Sequence, residues 1–300
     1  MAIYDCFPFF NEIELLKIRL NQYYNIVDKF VIVECAYTQQ GNKKDFNFEK
    51  NKQEFSNYLD KVIYIKIEEL PNSSKIINKL DWFIENFQRN AILQGLYNCT
   101  DDDLIIISDL DEFIKPDILK NLNKQKIIKI NKENGFKQTI KQLLEILIKK
   151  RQLVHSSLFS DFIEYMPIVF QQEPHPYFMN VKENFNWYGS IICKYKNLTL
   201  PQQLRNKNLS IPYIKNGGYH FSYLGGKQAI LKKLTSIIEG QTFIVPKKEM
   251  NIEQYVSYCL ESGIDIWNPK NKFYIIDEKN IKLSDILKIK EKYPYFFKLP

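Results

Sequence analysis

The 300-residue sequence contains no apolar run of about 20 residues, the length that a membrane-spanning helix needs. It also has no basic leader followed by a short apolar segment, because a strand pattern begins at residue 2. Cysteine is scarce: the five residues include no C-x-x-C pair, and an odd number cannot pair completely. These absences favour a cytoplasmic protein with free thiols over a secreted or membrane-spanning one.

Basic residues outnumber acidic ones, and the formal net charge of +7 favours an anionic partner. A nucleotide diphosphate, an acidic membrane surface and nucleic acid all fit that description. The Lys-rich stretch at residues 115–151 lacks the interleaved arginines and aromatic rings of a nucleic-acid reader, so we expect no nucleic acid. An amphipathic helix predicted at residues 136–153 packs one face on the body, with peripheral membrane-surface contact as the alternative.

The first half of the chain alternates strands with helices. Apolar and β-branched runs predict strands at residues 2–6, 29–33, 61–67 and 104–108, and helical spacing predicts helices after residue 11 and at 81–97. The last of these strands is almost wholly apolar, as in a parallel sheet that is covered on both faces. This order predicts a doubly wound α/β fold with a mostly parallel central sheet flanked by helices.

The second half has a different pattern. Strands are predicted at residues 168–172, 177–181, 190–195 and 219–224, followed by helices at 226–239 and 252–261. Because the sequence has no internal repeat and no low-complexity linker, we predict one domain with two lobes.

The strand at residues 104–108 ends in the acidic segment Asp109-Leu110-Asp111-Glu112. Alternate residues of an extended segment point the same way, so both aspartates can face one cation while Leu110 points into the core. Sheets of this class bind ligands at the carboxyl ends of their strands, and Mg²⁺ or Mn²⁺ takes carboxylate and phosphate oxygens. The segment therefore predicts a metal-diphosphate site at Asp109 and Asp111, with a solvated acidic turn as the alternative.

Short motifs spread over most of residues 3–240 carry a family resemblance. They lie at residues 4–7, 10–12, 15–16, 18–20, 27–34, 88–90, 107–112, 187–189, 194–196, 201–202, 204–205 and 217–226. Together they resemble glycosyltransferase family 17, the family of β-1,4-mannosyl-glycoprotein N-acetylglucosaminyltransferases. The resemblance implies a GT-A fold, UDP-N-acetylglucosamine as the donor, and inversion at the anomeric carbon.

The resemblance divides the single domain into parts. Residues 1–123 become the nucleotide-sugar-binding half, 124–165 a helical insertion beside the family pattern, and 166–300 an acceptor-side half with C-terminal helices. A second departure lies at residues 236–241, where the family often carries a Ser-Phe-x-His-x-Glu stretch and this chain has neither the histidine nor the glutamate. Any role of those two residues must differ here.

Further residues are predicted to surround the diphosphate. In many GT-A enzymes a late histidine joins the aspartates on the metal, which is the role we predict for His220, with a buried structural histidine as the alternative. Arg89 and Asn90, in the helix before the acidic strand, are predicted nucleotide-sugar contacts. Arg89 pairs with a phosphate or with a strand-end carboxylate.

The ends of the first two strands supply two more predicted nucleotide contacts, Asn11 and Glu34. Both should border the cleft, where Glu34 can accept hydrogen bonds from ribose hydroxyls. Asn11 is also predicted to cap the helix that follows it, with Glu14 completing a capping box.

An inverting transfer needs a base that takes the proton of the acceptor hydroxyl. The sequence has no acidic residue between Asn184 and Ile238, so a carboxylate base downstream of the metal segment is Glu173, Glu183 or Glu239, and an earlier residue is the alternative. Glu173 is preferred because it ends a predicted strand and matches an acidic stretch of the family.

Two neighbouring aromatic residues, Trp187 and Tyr188, are predicted to bind the acceptor, because aromatic rings stack on the apolar face of a sugar. A core position for at least one of them is the alternative.

The combined prediction is a metal-dependent, inverting glycosyltransferase. It moves N-acetylglucosamine from a UDP-sugar to a glycan or glycolipid acceptor, with Mn²⁺ or Mg²⁺ as cofactor. UDP-galactose or UDP-glucose is the alternative donor. A non-catalytic basic binding protein is the alternative of another class, but carboxylates such as Asp109 repel phosphate unless a metal intervenes.

Overall fold

A mixed β-sheet forms the centre of the protein in the computed structural model, which describes residues 1–71, 82–128 and 158–299. The strands are β1 (Ile3–Phe9), β2 (Lys29–Cys35), β3 (Val62–Ile67), β4 (Leu104–Ile107), β5 (Glu112–Ile114), β6 (Ile127–Ile128), β7 (Ile168–Pro174), β8 (Val181–Lys182), β9 (Trp187–Lys194), β10 (Tyr213–His220) and β11 (Tyr274–Ile275). The helices are α1 (Ile13–Tyr23), α2 (Asn47–Lys50), α3 (Phe83–Asn90), α4 (Pro116–Lys120), α5 (Phe159–Ile163), α6 (Pro201–Arg205), α7 (Gly226–Leu234), α8 (Ile252–Ser262) and α9 (Ile286–Lys292).

The central sheet has the strand order β3-β2-β1-β4-β9-β7-β10-β5, and β6 pairs with β10 at one side. The first four strands are parallel, and in register Tyr4 lies beside both Lys29 and Ile105. β9 runs antiparallel to β4 and to β7, β10 is parallel to β7, and β5 returns antiparallel to β10. The predicted α/β class with a mostly parallel sheet is confirmed.

Alternating side chains of the parallel strands enter two different hydrophobic cores. Phe7 and Ile106 pack in one core with α1, whereas Cys6 and Ile107 pack in the other with α3. Because successive residues of a strand point to opposite faces, a sheet covered on both sides needs an unbroken apolar sequence. This is the physical reason for the run of aliphatic residues in β4.

The sheet curls because β4 and β5 are close in the chain but not in strand order. Only residues 108–111 connect them, and a turn closed by the Glu112 N–H donating to the Asp109 carbonyl (3.1 Å) shortens that connection. Three strands nevertheless separate β4 from β5 in the sheet. Flat strands about 4.8 Å apart would place β5 beyond the reach of this segment.

Some predicted elements are wrong in position. The strand expected at residues 177–181 is not formed, because Tyr177 has a φ of 66° and only the two-residue β8 follows, paired with β11. The strand expected at 219–224 instead spans Tyr213–His220, and the helix expected to reach residue 239 ends at Leu234.

The predicted Asn11 cap is also wrong. α1 starts at Ile13 with Glu12 at the N-cap, and no side chain caps that end. A capping box does occur at the start of α8, where Asn251 and Gln254 exchange side-chain and backbone hydrogen bonds.

The Lys-rich helix predicted at 136–153, and with it most of the predicted insertion at 124–165, lies outside the described residues. Within residues 1–71, 82–128 and 158–299, no helix combines the length and apolar character that crossing a membrane requires.

Candidate active site

A cleft of about 580 Å³ opens at the edge where the parallel strands of the sheet end. Phe9 at the end of β1, the acidic turn after β4, and His220 at the end of β10 all line it. β9 is antiparallel to β4, so its first residue, Trp187, reaches the same edge. The cleft therefore lies where α/β sheets bind ligands.

Both aspartates of the predicted metal segment line this cleft, and Leu110 between them is buried in the core, as predicted. Different cations hold the two carboxylates. Arg89 Nη2 donates to Asp109 Oδ1 at 2.7 Å, and Arg205 Nη2 donates to Asp109 Oδ2 at 2.9 Å. Burial opposes ionisation of Asp109, but the two guanidinium groups outweigh it and lower its pKa to about 2.

Asp111 is held on its other side by α7 and β10. Lys233 Nζ lies 3.0 Å from Asp111 Oδ2, and His220 Nε2 lies 3.6 Å from Asp111 Oδ1. Burial raises the pKa of Asp111, but Lys233 and then His220 more than offset this, so the pKa lies well below its usual range. The structure thus brings Asp111 and His220 together, as the sequence analysis predicts.

Glu112, the last acidic residue of the turn, is fully buried and serves as its anchor. Arg205 donates to both of its carboxylate oxygens at 2.9 Å, and Trp187 Nε1 donates to Oε1 at 2.7 Å. Glu112 Oε2 also accepts the Asp109 N–H at 2.9 Å. Glu112 therefore fixes the turn instead of facing a ligand.

A buried arginine of α1 holds the same turn from the core side. Arg19 forms a bidentate pair with Asp5 at 2.6 and 2.8 Å and donates to Ser108 Oγ at 2.6 Å. Its Nη1 also donates to the backbone carbonyls of residues 109, 110 and 112 at 2.8 to 3.1 Å. One guanidinium group thus sets the backbone path that presents Asp109 and Asp111.

The sequence patterns that predict the site do not indicate that Arg19, Arg205 and Lys233 belong to it. Arg205 and Lys233 come from α6 and α7, far along the chain from the acidic turn, and no local spacing indicates such contacts. A signal for Arg19 exists: it lies between Leu16 and Tyr23 on the apolar face of α1, where a charged side chain requires a buried partner.

The predicted nucleotide contacts occupy different positions. Arg89 lines the cleft, whereas the Asn90 side chain accepts the backbone N–H of Gln202 at 2.9 Å. Asn11 lines an adjoining cavity of about 270 Å³ that also contacts Asp111 and Lys233.

Glu34 is fully buried and does not line the cleft. Its oxygens accept hydrogen bonds from Lys44 and Tyr64, and from the backbone N–H groups of Asn47 and Phe48 at the start of α2. Both oxygens are thus engaged within the protein, so a ribose contact at Glu34 has no support in this geometry.

The preferred base, Glu173, does not face the cleft. It pairs in register with Tyr219, whereas the neighbouring pair, Pro174 and His220, lines the cleft, and adjacent residues of a strand point to opposite faces. Burial raises the pKa of Glu173, but Lys182 and Lys115 outweigh it and hold the pKa below its usual value. The other two downstream candidates, Glu183 and Glu239, both line the cleft, and so do the earlier residues Glu12 and Glu85.

The two predicted acceptor aromatics lie on opposite faces of β9. Trp187 lines the cleft and stacks on the imidazole of His220, with ring centroids 4.4 Å apart. Tyr188 packs edge-on against Tyr213 and accepts a hydrogen bond from Gln171 at 3.0 Å. Tyr188 is therefore the half-buried ring of the pair that packs against the core and does not line the cleft.

The side chains around Asp111 are compatible with a divalent ion, although no group of three or more His, Cys, Asp or Glu side chains is arranged as a metal site among the residues described. Asp111 and His220 offer one carboxylate and one imidazole on the cleft wall. Mg²⁺ commonly binds through one or two carboxylates and takes its other ligands from phosphates and water. Such a two-residue set fits an ion that arrives with a diphosphate.

The fold and the cleft define an α/β protein with a ligand-sized site, lined by charged and aromatic side chains, at the carboxyl edge of its sheet. Sequence comparisons show a similarity to glycosyltransferases: residues 1–130 match the sequence model of glycosyltransferase family 17. The predicted resemblance is confirmed over this segment, which contains the whole acidic turn.

Individual relatives show the same distant similarity. The chain is 27% identical over 108 residues to the beta-1,4-mannosyl-glycoprotein 4-beta-N-acetylglucosaminyltransferases of Homo sapiens and Rattus norvegicus, and 26% identical to that of Mus musculus. Each match covers 34% of this chain and 20% of the relative. His220, Arg205 and Lys233 lie beyond the residues that the family model matches.

Proposed function

We propose that the protein is a metal-dependent, inverting glycosyltransferase that moves N-acetylglucosamine from its UDP donor to a glycan acceptor. The observation that carries the proposal is the acidic turn. It lies inside the family-matched segment, at the end of a buried parallel strand, and it opens into a cleft large enough for a nucleotide sugar. The choice of N-acetylglucosamine as the transferred sugar, and of a β-mannosyl group as the acceptor, follows the names of the relatives.

The proposed reaction builds negative charge on the departing diphosphate, and a bound divalent ion supplies charge stabilisation there. Asp111 and His220 would hold that ion. Arg89 and Arg205 keep Asp109 ionised and fixed, and the buried Glu112 keeps Arg205 in place. Lys233 adds a positive charge beside Asp111. The protein thus supplies a preorganised polar site that needs little rearrangement when the diphosphate leaves.

The test uses UDP binding by calorimetry and UDP release from UDP-N-acetylglucosamine, each with Mn²⁺ and with EDTA. We expect EDTA to abolish UDP release, and Asp111→Asn to reduce it about 100-fold, the size of effect typical of lost charge stabilisation. Asp102→Asn is the control, since Asp102 is a surface carboxylate paired with Lys194. Full activity of Asp111→Asn, or activity indifferent to EDTA, contradicts the metal assignment.

A further inference from the structure

Part of the cleft wall is built by residues 174–187 and 265–271, well outside the family-matched segment. Glu183, Asp265 and Asn271 supply polar groups there, and Phe185 and Trp267 supply rings. None of these five side chains takes part in holding the acidic turn, in contrast to the neighbouring Trp187. This wall is therefore available for a second substrate.

The backbone brings Glu183 close to the predicted metal ligands. The Glu183 N–H donates to the carbonyl of Pro174 at 3.1 Å, and Pro174 at the end of β7 lies in register with His220 at the end of β10. His220 in turn lies 3.6 Å from Asp111. Glu183 is thus placed at the same sheet edge, beside the site that would hold the diphosphate.

Glu183 has the properties of a proton acceptor. Its Oε1 accepts a hydrogen bond from Asn271 Nδ2 at 2.8 Å, and within the described part of the chain no donor contacts Oε2. Burial, reinforced by the nearby charge of Asp265, raises its pKa. A buried carboxylate without a cationic partner holds a proton more readily than an ion-paired one.

The other acidic groups of the cleft have surroundings different from those of Glu183. Glu12 Oε2 accepts the backbone N–H of Asn11 at 3.0 Å, and the charge of Glu12 acts on Lys233 by raising the pKa of that group. Asp109 and Asp111 are ion-paired, and Glu85 pairs with Arg89 at 2.9 Å. Asp265 Oδ1 accepts the backbone N–H groups of residues 267 and 268 in a turn. Glu239 is exposed at the rim.

Two rings beside Glu183 are partly exposed, with Phe185 at 46% and Trp267 at 40%. Trp267 is fixed in orientation by two contacts. Its Nε1 donates to the Tyr223 hydroxyl at 2.9 Å, and its ring packs edge-on against Phe243 with ring centroids 5.0 Å apart. A fixed, open indole face on the cleft wall suits the apolar face of a sugar ring.

We propose that Glu183, Phe185 and Trp267 form the acceptor-sugar subsite, in which Glu183 takes the proton of the attacking hydroxyl. This proposal rests on the proposed function. The acceptor oxygen bonds to the anomeric carbon while the bond from that carbon to the diphosphate oxygen breaks. The diphosphate leaves with the electron pair, and the hydroxyl proton moves to a Glu183 oxygen.

The first test is Glu183→Gln, which keeps the shape and the carbonyl that accepts from Asn271. We expect glycoside-stimulated UDP release from UDP-N-acetylglucosamine to fall about 100-fold or more, the usual contribution of a general base, while calorimetric affinity for UDP stays unchanged. Glu253→Gln, at a surface carboxylate near Lys227, is the control. The proposal is overturned if Glu183→Gln releases UDP at the wild-type rate. It is also overturned if Glu173→Gln loses UDP release and Glu183→Gln does not.

The second test addresses the rings with a panel of p-nitrophenyl glycosides that includes the β-mannoside. Trp267→Ala should raise the KM for every glycoside that stimulates UDP release and leave UDP affinity unchanged, whereas Tyr97→Ala, at an exposed ring outside the cleft, should change neither. The subsite assignment is contradicted if wild type and Trp267→Ala have equal KM values for the glycosides. It is also contradicted if the wild-type protein releases UDP but no glycoside stimulates that release. A wild-type protein that neither binds UDP nor releases it defeats the proposed function instead.

Discussion

Gly189 stands where any larger residue would collide with the buried carboxylate of Glu112. A Cβ atom at this position would lie 2.0 Å from Glu112 Oε1 and 2.4 Å from Trp187 Nε1. Both of those atoms hold the acidic turn through hydrogen bonds. The absence of a side chain at residue 189 is thus part of the site.

We expect Gly189→Ala to displace Glu112 and to lower the free energy of unfolding by about 1–3 kcal/mol, the usual cost of overpacking. UDP release should fall as well, because the turn that carries Asp109 and Asp111 loses its anchor. Urea unfolding and UDP release measure the two effects. Gly41→Ala is the control for UDP release only: its new methyl group meets no atom within 4 Å, but the φ of 85° at this position strains the backbone by itself. Equal losses of UDP release in both variants would contradict this account.

At single positions, the sequence predicts the residues that strand ends and local spacing determine. Asp109, Asp111 and His220 reach the cleft because each follows or ends a strand of the same sheet edge. Spacing along the chain does not show which face of β7 Glu173 occupies, and the structure turns that residue away from the cleft. The face that each residue of β7 occupies is fixed by pairing with β10. Glu173 lies beside Tyr219, which is some 45 residues further along the chain.

Among the elements, α1 does more than cover the sheet. Its Arg19 links Asp5 of β1 to the turn after β4, so that a helix, a strand and a loop share one buried charge. Removing one partner of a buried ion pair leaves the other charge uncompensated, which is far more costly than losing a surface pair.

Arg19→Met should therefore lower the free energy of unfolding by about 3–5 kcal/mol. Lys17→Met on the same helix should cost at most about 1 kcal/mol, because its pair with Glu54 is partly exposed. Chemical denaturation of both variants provides the comparison. Similar losses in the two proteins would show that Arg19 does not carry the network.

The long elements are predictable because their own residues determine them. β2 and β4 are runs of β-branched side chains, and the spacing of apolar residues identifies α1. The short strands β5 and β8 are not predictable in this way, since two or three residues form a strand only when a distant partner is already in place. Tertiary pairing decides these elements.

For the whole molecule, His175 links folding stability to pH. Its ring is fully buried, with Nδ1 2.6 Å from the Met179 carbonyl and no partner for Nε2 within the described residues. Burial lowers the pKa of His175 to about 4, below the value near 6.5 of an exposed histidine. Folding therefore requires the neutral ring, and protonation favours the unfolded chain.

The contribution of His175 to stability should be complete above about pH 6.5 and should be lost as the pH falls toward 4, by up to about 3 kcal/mol. A His175→Gln variant should show a flatter pH dependence of unfolding free energy over this range. Urea titrations followed by tryptophan fluorescence at several pH values test this. If the unfolding free energies of wild type and variant change with pH in parallel, His175 is not the source of the pH dependence.

The strand order has a consequence for anyone who would recombine this protein with its relatives. The family-matched residues supply β1 to β4 and also β5 at the far side, while β9, β7 and β10 from the second half fill the interval between them. A fragment that stops at residue 130 would keep both rims of the sheet and lose its middle. A chimaera of contiguous halves would therefore combine β4 and β5 of one protein with β9, β7 and β10 of the other within a single sheet.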